Sequence, residues 1–522
     1  HESRSMWRAR GPSIAWPANA LQQQRARTLR TSRPAEVGPL IAGIGVAAVL
    51  YGTKMLLDVV NNPEVQETVR RAANSAGNAA RAAAASSSSN AKTDPARGAD
   101  GVATPSAARS PESYFTTDVM GVDLGHGAKE WSGACAAVVS GGSVRVVENE
   151  QGSRSTPSVV AFADSGDVLV GQPAKNLLYS RRAKSVVGPQ LLHGVPHGSA
   201  DAEALATFGA HPLELVANPD TGLALFDVHG VRHAPEELSA RILSDLRASA
   251  EAALGGGRSV LSAVVGAPVA ATDETRAALI AAGQRAGLNR VELLDEAIAG
   301  AYAAEIELGD PMTAVRTLGV FALGGRAFSF SVLEREATVG ADDEADGWRV
   351  RAAQRMPTLG GERFDDAVVQ YLVEDFEKEH GIDLSADHLA LQRLNEAAEV
   401  AKLELSSAGS ASISLPFITA DADGPKHMDL SLSRAKFDAL IEPTLASSLS
   451  ATEAVLEAAA IQPTELDAVL LLGGTARVAA VEASVSRFFG SKPLRMDRPE
   501  ETVALGAAAL AQRMQARQYA SK

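Results

Sequence analysis

Three short segments constrain this chain more than any others: GVDLGHG at 121–127, VFALGGRA at 320–327 and AVLLLGGTAR at 468–477. Each is an apolar run of strand length that ends in glycine. With no Cβ in the way, the backbone N–H groups of such a turn come close to a bound anion. One loop of this kind says little. Three of them, widely spaced, point to two halves of a duplicated fold closing over one nucleotide.

Around these turns the body alternates strands and helices. The patterning predicts strands over 119–124, 134–140, 144–147, 158–163 and 168–171, then 261–266, 317–323, 327–333 and 466–472. Amphipathic periodicity predicts helices over 236–254, 273–286, 363–380 and 386–407, and another from about 478. Alternation of this kind makes the class α/β. The lone cysteine, Cys135, excludes an intramolecular disulfide and a cysteine-rich zinc site.

Several motifs follow one another in a fixed order: GVDLG, VGQPAKNLL (170–178), AVVGAP (263–268), AGLNRVELLDEAIAGAYA (286–303), TLGGERFDD (358–366), EVAKLELSS (399–407), LLGGTAR (471–477) and PEETVALGAAALA (499–511). In this order they resemble the nucleotide-binding domain of the 70-kDa heat-shock chaperones, within the actin-like ATPase superfamily. The resemblance covers 119–512. It implies two lobes around a nucleotide cleft, with ATP or ADP and magnesium as cofactors.

Carried over one residue at a time, the resemblance divides the site in two. The first phosphate loop of the family reads Asp-Leu-Gly-Thr-Thr; here Asp123, Leu124 and Gly125 remain, and His126 and Gly127 replace the hydroxyls. His126 is expected as a surface loop residue, with contact to a phosphate as the alternative. The second loop keeps Gly324 and Gly325, but Ala322 replaces a carboxylate, Ala327 a hydroxyl and Ser329 a second carboxylate. Arg326 replaces a glycine and either pairs with a phosphate or blocks the pocket. Gln190 stands where the family has its catalytic lysine. Asp123 and Glu296 remain as candidate magnesium ligands, and Pro268 matches a switch proline.

On the adenosine side, Glu399, Lys402 and Ser406 share one helix face. Gly360, Gly361, Gly473, Gly474, Arg477 and Glu500 complete the implied nucleotide contacts, while Leu403 replaces a stacking arginine. Adenosine contacts largely persist and hydrolytic ones are largely gone. The expectation is a pseudo-ATPase, whose pocket either holds nucleotide without turnover or is empty. After 513 only a tail, 514–522, is expected, so no peptide-clamp activity is expected either.

Charge separates the ends of the chain. Residues 1–60 hold eight Lys/Arg against three Asp/Glu; the remainder holds 41 against 60, within a net −14. That acidic body disfavours nucleic acid as a partner. Residues 1–36 are Arg-rich and acid-poor, the composition of an organelle-targeting segment. Residues 37–60 form an almost uncharged apolar stretch of membrane-spanning length, with small residues four apart at Gly43/Ala47 and Ala48/Gly52. Residues 61–114 are an Ala/Ser-rich linker, and 115–513 is the folded domain.

The expected role is an accessory subunit of a mitochondrial inner-membrane complex: a respiratory complex, an ATP synthase or a translocase. Its partners would be that complex's subunits and the lipid bilayer, and another organelle membrane is the alternative location. Basic residues before the span place the body in the intermembrane space, a prediction weakened by Arg70 and Arg71 beyond it. The alternative function is a slow membrane-tethered ATPase co-chaperone or an ATP sensor.

Overall fold

The computed structural model describes residues 118–129, 131–178, 183–206, 214–336 and 347–520. The leader, span and linker expected at 1–114 lie outside these residues. Two five-stranded sheets carry the architecture. The first uses β1 (Asp118–Asp123), β2 (Cys135–Ser140), β3 (Ser143–Val146), β4 (Val260–Ala267) and β5 (Arg290–Asp295), in the order β5-β4-β1-β2-β3. The second uses β6 (Thr317–Leu323), β7 (Phe328–Arg335), β8 (Trp348–Met356), β9 (Ala468–Leu472) and β10 (Leu494–Arg495), in the order β8-β7-β6-β9-β10.

The two sheets repeat one plan. In each, a central strand pairs antiparallel with the next strand in the chain: β1 with β2, β6 with β7. On its other side it pairs in parallel with a strand that arrives after a long crossover: β4 and β9. The duplication read from the glycine turns is therefore present in the topology. The central segments VMGV and LGVF are buried on both faces, which suits continuous apolar runs rather than alternating ones.

Helices cover the sheets. They are α1 (Pro235–Leu254), α2 (Asp273–Arg285), α3 (Glu296–Leu308), α4 (Gly361–His380), α5 (His388–Leu405), α6 (Arg434–Ala459), α7 (Ala479–Phe489) and α8 (Thr502–Ala520). Their starts follow local chemistry. Thr272 and Asp387 accept the exposed amides of α2 and α5, and Pro235 opens α1, where no N–H is needed. Helix α8 runs to Ala520, so the boundary at 513 expected from sequence falls inside a helix.

Each lobe has its own core. Phe226, Leu238, Ile242 and Leu243 anchor the first, and Phe321, Phe328, Phe330, Phe364 and Phe437 the second. A third cluster joins them: alanines of α3 and α8 pack with Val119 and Val264 of one sheet and Leu318 and Leu470 of the other. Close approach at this junction requires glycine. A Cβ on Gly506 of α8 would overlap the Ala299 carbonyl of α3, and one on Gly121 would overlap the α8 backbone at Ala508.

His193 follows the 3₁₀ turn Pro189–Leu192 and is buried, with its Nε2 2.9 Å from Ser239 Oγ on α1. Burial pushes its pKa down from 6.5 to about 4. The unfolded chain therefore binds more protons than the native one between these values, and stability falls as pH drops from 6.5 towards 4. From pH 7.5 to 5 this group alone removes about 2 kcal/mol. His193→Gln keeps a polar partner for Ser239 but does not titrate. Its urea midpoint should lose that part of the pH dependence; an unchanged slope would show that His193 is not the responsible group.

Candidate functional site

The glycine turns at the ends of β1, β6 and β9 face one another across the cleft between the lobes. Asp123 ends β1 and accepts the Gly125 N–H through Oδ1 at 2.8 Å. Glu296 is the first residue of α3. Both carboxylates line a cavity of about 70 Å³, together with His126, Ala322, Ser329 and Arg355. Burial raises Asp123 to about 6, and burial with the neighbouring Asp123 charge raises Glu296 to about 7.

His126 is not the surface residue expected from sequence. The loop turns inward, so its imidazole lines the cavity, 4.0 Å from Glu296 Oε1, too far for a hydrogen bond. Burial, then the Arg355 and Arg326 charges, lower its pKa to about 3, so it stands there neutral. Arg355 was not legible from sequence. It lies on β8 opposite Ser329 of β7, and that register delivers its guanidinium to the acidic pair. The signal was present only as an arginine just before TLGG.

Gln190 does reach the first loop: its Nε2 donates to Leu124 O at 3.1 Å and to Gly125 O. Arg326 is buried and committed. Its Nε donates to Glu362 Oε2 at 2.9 Å and its Nη1 to Val187 O at 3.2 Å, which ties the second lobe's hairpin to the first lobe. Arg326 is thus bonded within the protein and is not among the residues that line the cavity of about 70 Å³.

Gly360 and Gly361 serve packing. A Cβ on the first would strike Gly325 and Arg326 backbone, and one on the second the Thr475 hydroxyl. The Gly361 and Glu362 amides donate to the carbonyls of Gly324 and Gly325, so the start of α4 is spent on the neighbouring turn. Arg477 and Glu500 pair with each other at 2.9 and 2.7 Å. Ser406 caps α5, giving its hydroxyl to Leu403 O at 2.6 Å.

The loop between β1 and β2 carries three residues that sequence reasoning passed over. Lys129 Nζ crosses the cleft to Asp365 Oδ2 at 2.6 Å, and Lys402 Nζ reaches the same oxygen at 2.8 Å. Burial alone would lower the Lys129 pKa, but Asp365, Glu362 and Glu399 raise it overall. Trp131 lies under the Arg477 guanidinium, 5.4 Å from its ring centroid, within cation–π range. Its Cβ sits where a side chain on Gly474 would be, and Ser132 sits where one on Gly325 would be.

This arrangement decides whether a nucleotide fits. Ligand pockets of that size class need roughly 300 Å³ or more. The space at the acidic pair is about 70 Å³, and the gap beside Glu399, Lys402 and Leu403 is about 10 Å³. A larger void of about 520 Å³ lies beyond Trp131, but its arginines are paired: Arg154 and Arg498 with Glu501, Arg477 with Glu500. Asp123 and Glu296 suit a magnesium ion that draws its other ligands from water and phosphate. Among the described residues no group of three metal-ligating side chains converges on one point. With the loop in place, the space at the acidic pair alone is smaller than a nucleotide requires.

Residues 119–519 match the family model described as Hsp70 protein. The chain is 38% identical over 392 residues to the chaperone protein DnaK of Stenotrophomonas maltophilia (strain R551-3), covering 75% of this chain and 58% of that protein. It is 36% identical over 390 residues to the chaperone protein DnaK of Buchnera aphidicola subsp. Schizaphis graminum (strain Sg), with the same shares. The chain thus spans 58% of the length of these relatives, over their nucleotide-binding region. Domains of this family bind ATP or ADP with magnesium. A duplicated α/β core, glycine turns facing one cleft and this similarity together place the chain in the Hsp70 family.

Proposed function

We propose that this domain is a pseudo-ATPase that serves as an accessory subunit of a mitochondrial inner-membrane complex, held there by a single span. The observation that carries the first half is the state of the phosphate end of the cleft. Ala322 and Ala327 offer neither carboxylate nor hydroxyl there, and Arg326 is bound to Glu362 and Val187 O. Positioned charge supplies most of the catalysis of phosphoryl transfer, and losing single groups of this kind commonly costs orders of magnitude in rate. The second half rests on the basic segment 1–36 and the apolar stretch 37–60. The partner would be a respiratory complex, an ATP synthase or a translocase.

A slow membrane-tethered ATPase or ATP sensor is the second reading. The observation that favours it is the surviving Asp123–Glu296 pair with Arg355 beside it.

One preparation tests both halves: the tagged full chain, extracted from mitochondrial inner membranes in mild detergent. We expect it to migrate with a stoichiometric complex, and magnesium-ATP turnover to equal that of Asp123→Ala. A turnover that Asp123→Ala abolishes would overturn the pseudo-ATPase. Migration as a free monomer, or absence from that membrane, would overturn the accessory role.

A further inference from the structure

We propose that the loop joining β1 to β2 is a built-in occupant of the cleft: Lys129, Trp131 and Ser132 latch the two lobes together where a nucleotide would otherwise bridge them, and nucleotide enters only when the loop swings out. The proposal rests on reading the cleft as a nucleotide site of the Hsp70 type. It goes further in naming what controls access.

Three contacts carry it, and each falls on a feature of the opposite lobe that the sequence assigned to nucleotide. Trp131 fills the space left by Gly474 and presents an aromatic plane to Arg477, the face a planar base would use. Ser132 fills the space left by Gly325 in the second glycine turn. Lys129 enters the α4–α5 side of the cleft, where it shares Asp365 with Lys402 and borders the gap beside Glu399. The glycines that would let backbone approach a phosphate instead let this loop approach.

The loop is also preorganised for that position. The His126 and Gly127 amides both donate to Ser132 O at 2.9 Å, and Lys129 N donates to Ser132 Oγ at 3.2 Å. Gln190 holds its root through Leu124 O and Gly125 O. An occupant already folded into its bound shape loses little entropy on seating, so it competes well with a free ligand. A ligand that needs the open form then binds with an apparent affinity reduced by the open fraction.

The test uses the full chain and magnesium-ADP as the probe. Lys129→Ala/Trp131→Ala should bind magnesium-ADP at least tenfold more tightly than the unaltered chain. Equal affinity in the two would overturn the latch and leave the nucleotide reading intact. Absence of binding in both would overturn the two together. A second measurement needs no variant: hydrogen exchange at the His126 and Gly127 amides. We expect protection without nucleotide and loss of protection at saturating magnesium-ADP. Protection that persists with nucleotide bound, or is missing without it, would overturn the proposal.

Discussion

Replacing Asp365 with alanine is expected to lower stability by about 3–5 kcal/mol, read as a fall in the urea midpoint at pH 7. Asp365 lies on α4, is fully buried, and takes Lys129 and Lys402 on one oxygen. Removing it leaves two ammonium groups in a site built for an anion. They do not suffer equally. The Lys129 side chain keeps 18% of its surface exposed and can turn towards water, whereas Lys402 keeps 7% and stays near Gly361 O. Most of the cost therefore falls on Lys402.

The same reasoning orders a small set of variants. Lys402→Met should cost less than Asp365→Ala, because Lys129 still neutralises the carboxylate. Lys129→Met should cost least. The triple variant Asp365→Leu/Lys129→Met/Lys402→Met should recover most of the loss, since apolar groups of similar volume often replace buried ion networks without penalty. If Asp365→Ala and Lys129→Met cost the same, the burden on Lys402 has been misjudged.

Legibility from sequence follows the range of the interaction. The strands and their glycine turns were readable because periodicity and turn chemistry are local, and most predicted elements lie within two residues of the observed ones. The order of the motifs singled out Asp123 and Glu296, which line the cleft cavity, and Gln190, which bonds to the first glycine turn. The latch was not readable, because Lys129 and Asp365 are 236 residues apart and no local pattern links a loop lysine to one helix carboxylate. Arg355 was missed for a related reason: only the β7–β8 register shows which face it takes. Arg477 and Glu500 pair with each other, and no local pattern signals that pairing across 23 residues. Helices α3 and α8 were hidden by composition, being so rich in alanine and glycine that neither shows a strong apolar stripe.

That composition is itself a constraint, and Gly506→Val should show it with a loss of about 3 kcal/mol or more. Helix α8 crosses α3 so closely that a Cβ at 506 would overlap the carbonyl, carbonyl carbon and Cα of Ala299. These are backbone atoms inside a helix, so no side chain can turn away to make room. Alanine at the same position separates two opposing effects. Its better helix propensity favours it by about 1 kcal/mol, while the overlap costs more, so Gly506→Ala should still destabilise. Gly409→Ala is the control: nothing lies within 4 Å of a Cβ there, and its midpoint should hardly move. The effect should extend to the cleft. Helix α3 begins at Glu296, and α8 begins two residues after Glu500, so prising them apart separates the Glu296 carboxylate from Glu500 and its partner Arg477. Gly506→Val should therefore expose the His126 and Gly127 amides to exchange as well as lower the urea midpoint. A destabilised variant with those amides still protected would show that the helix junction and the cleft are not coupled.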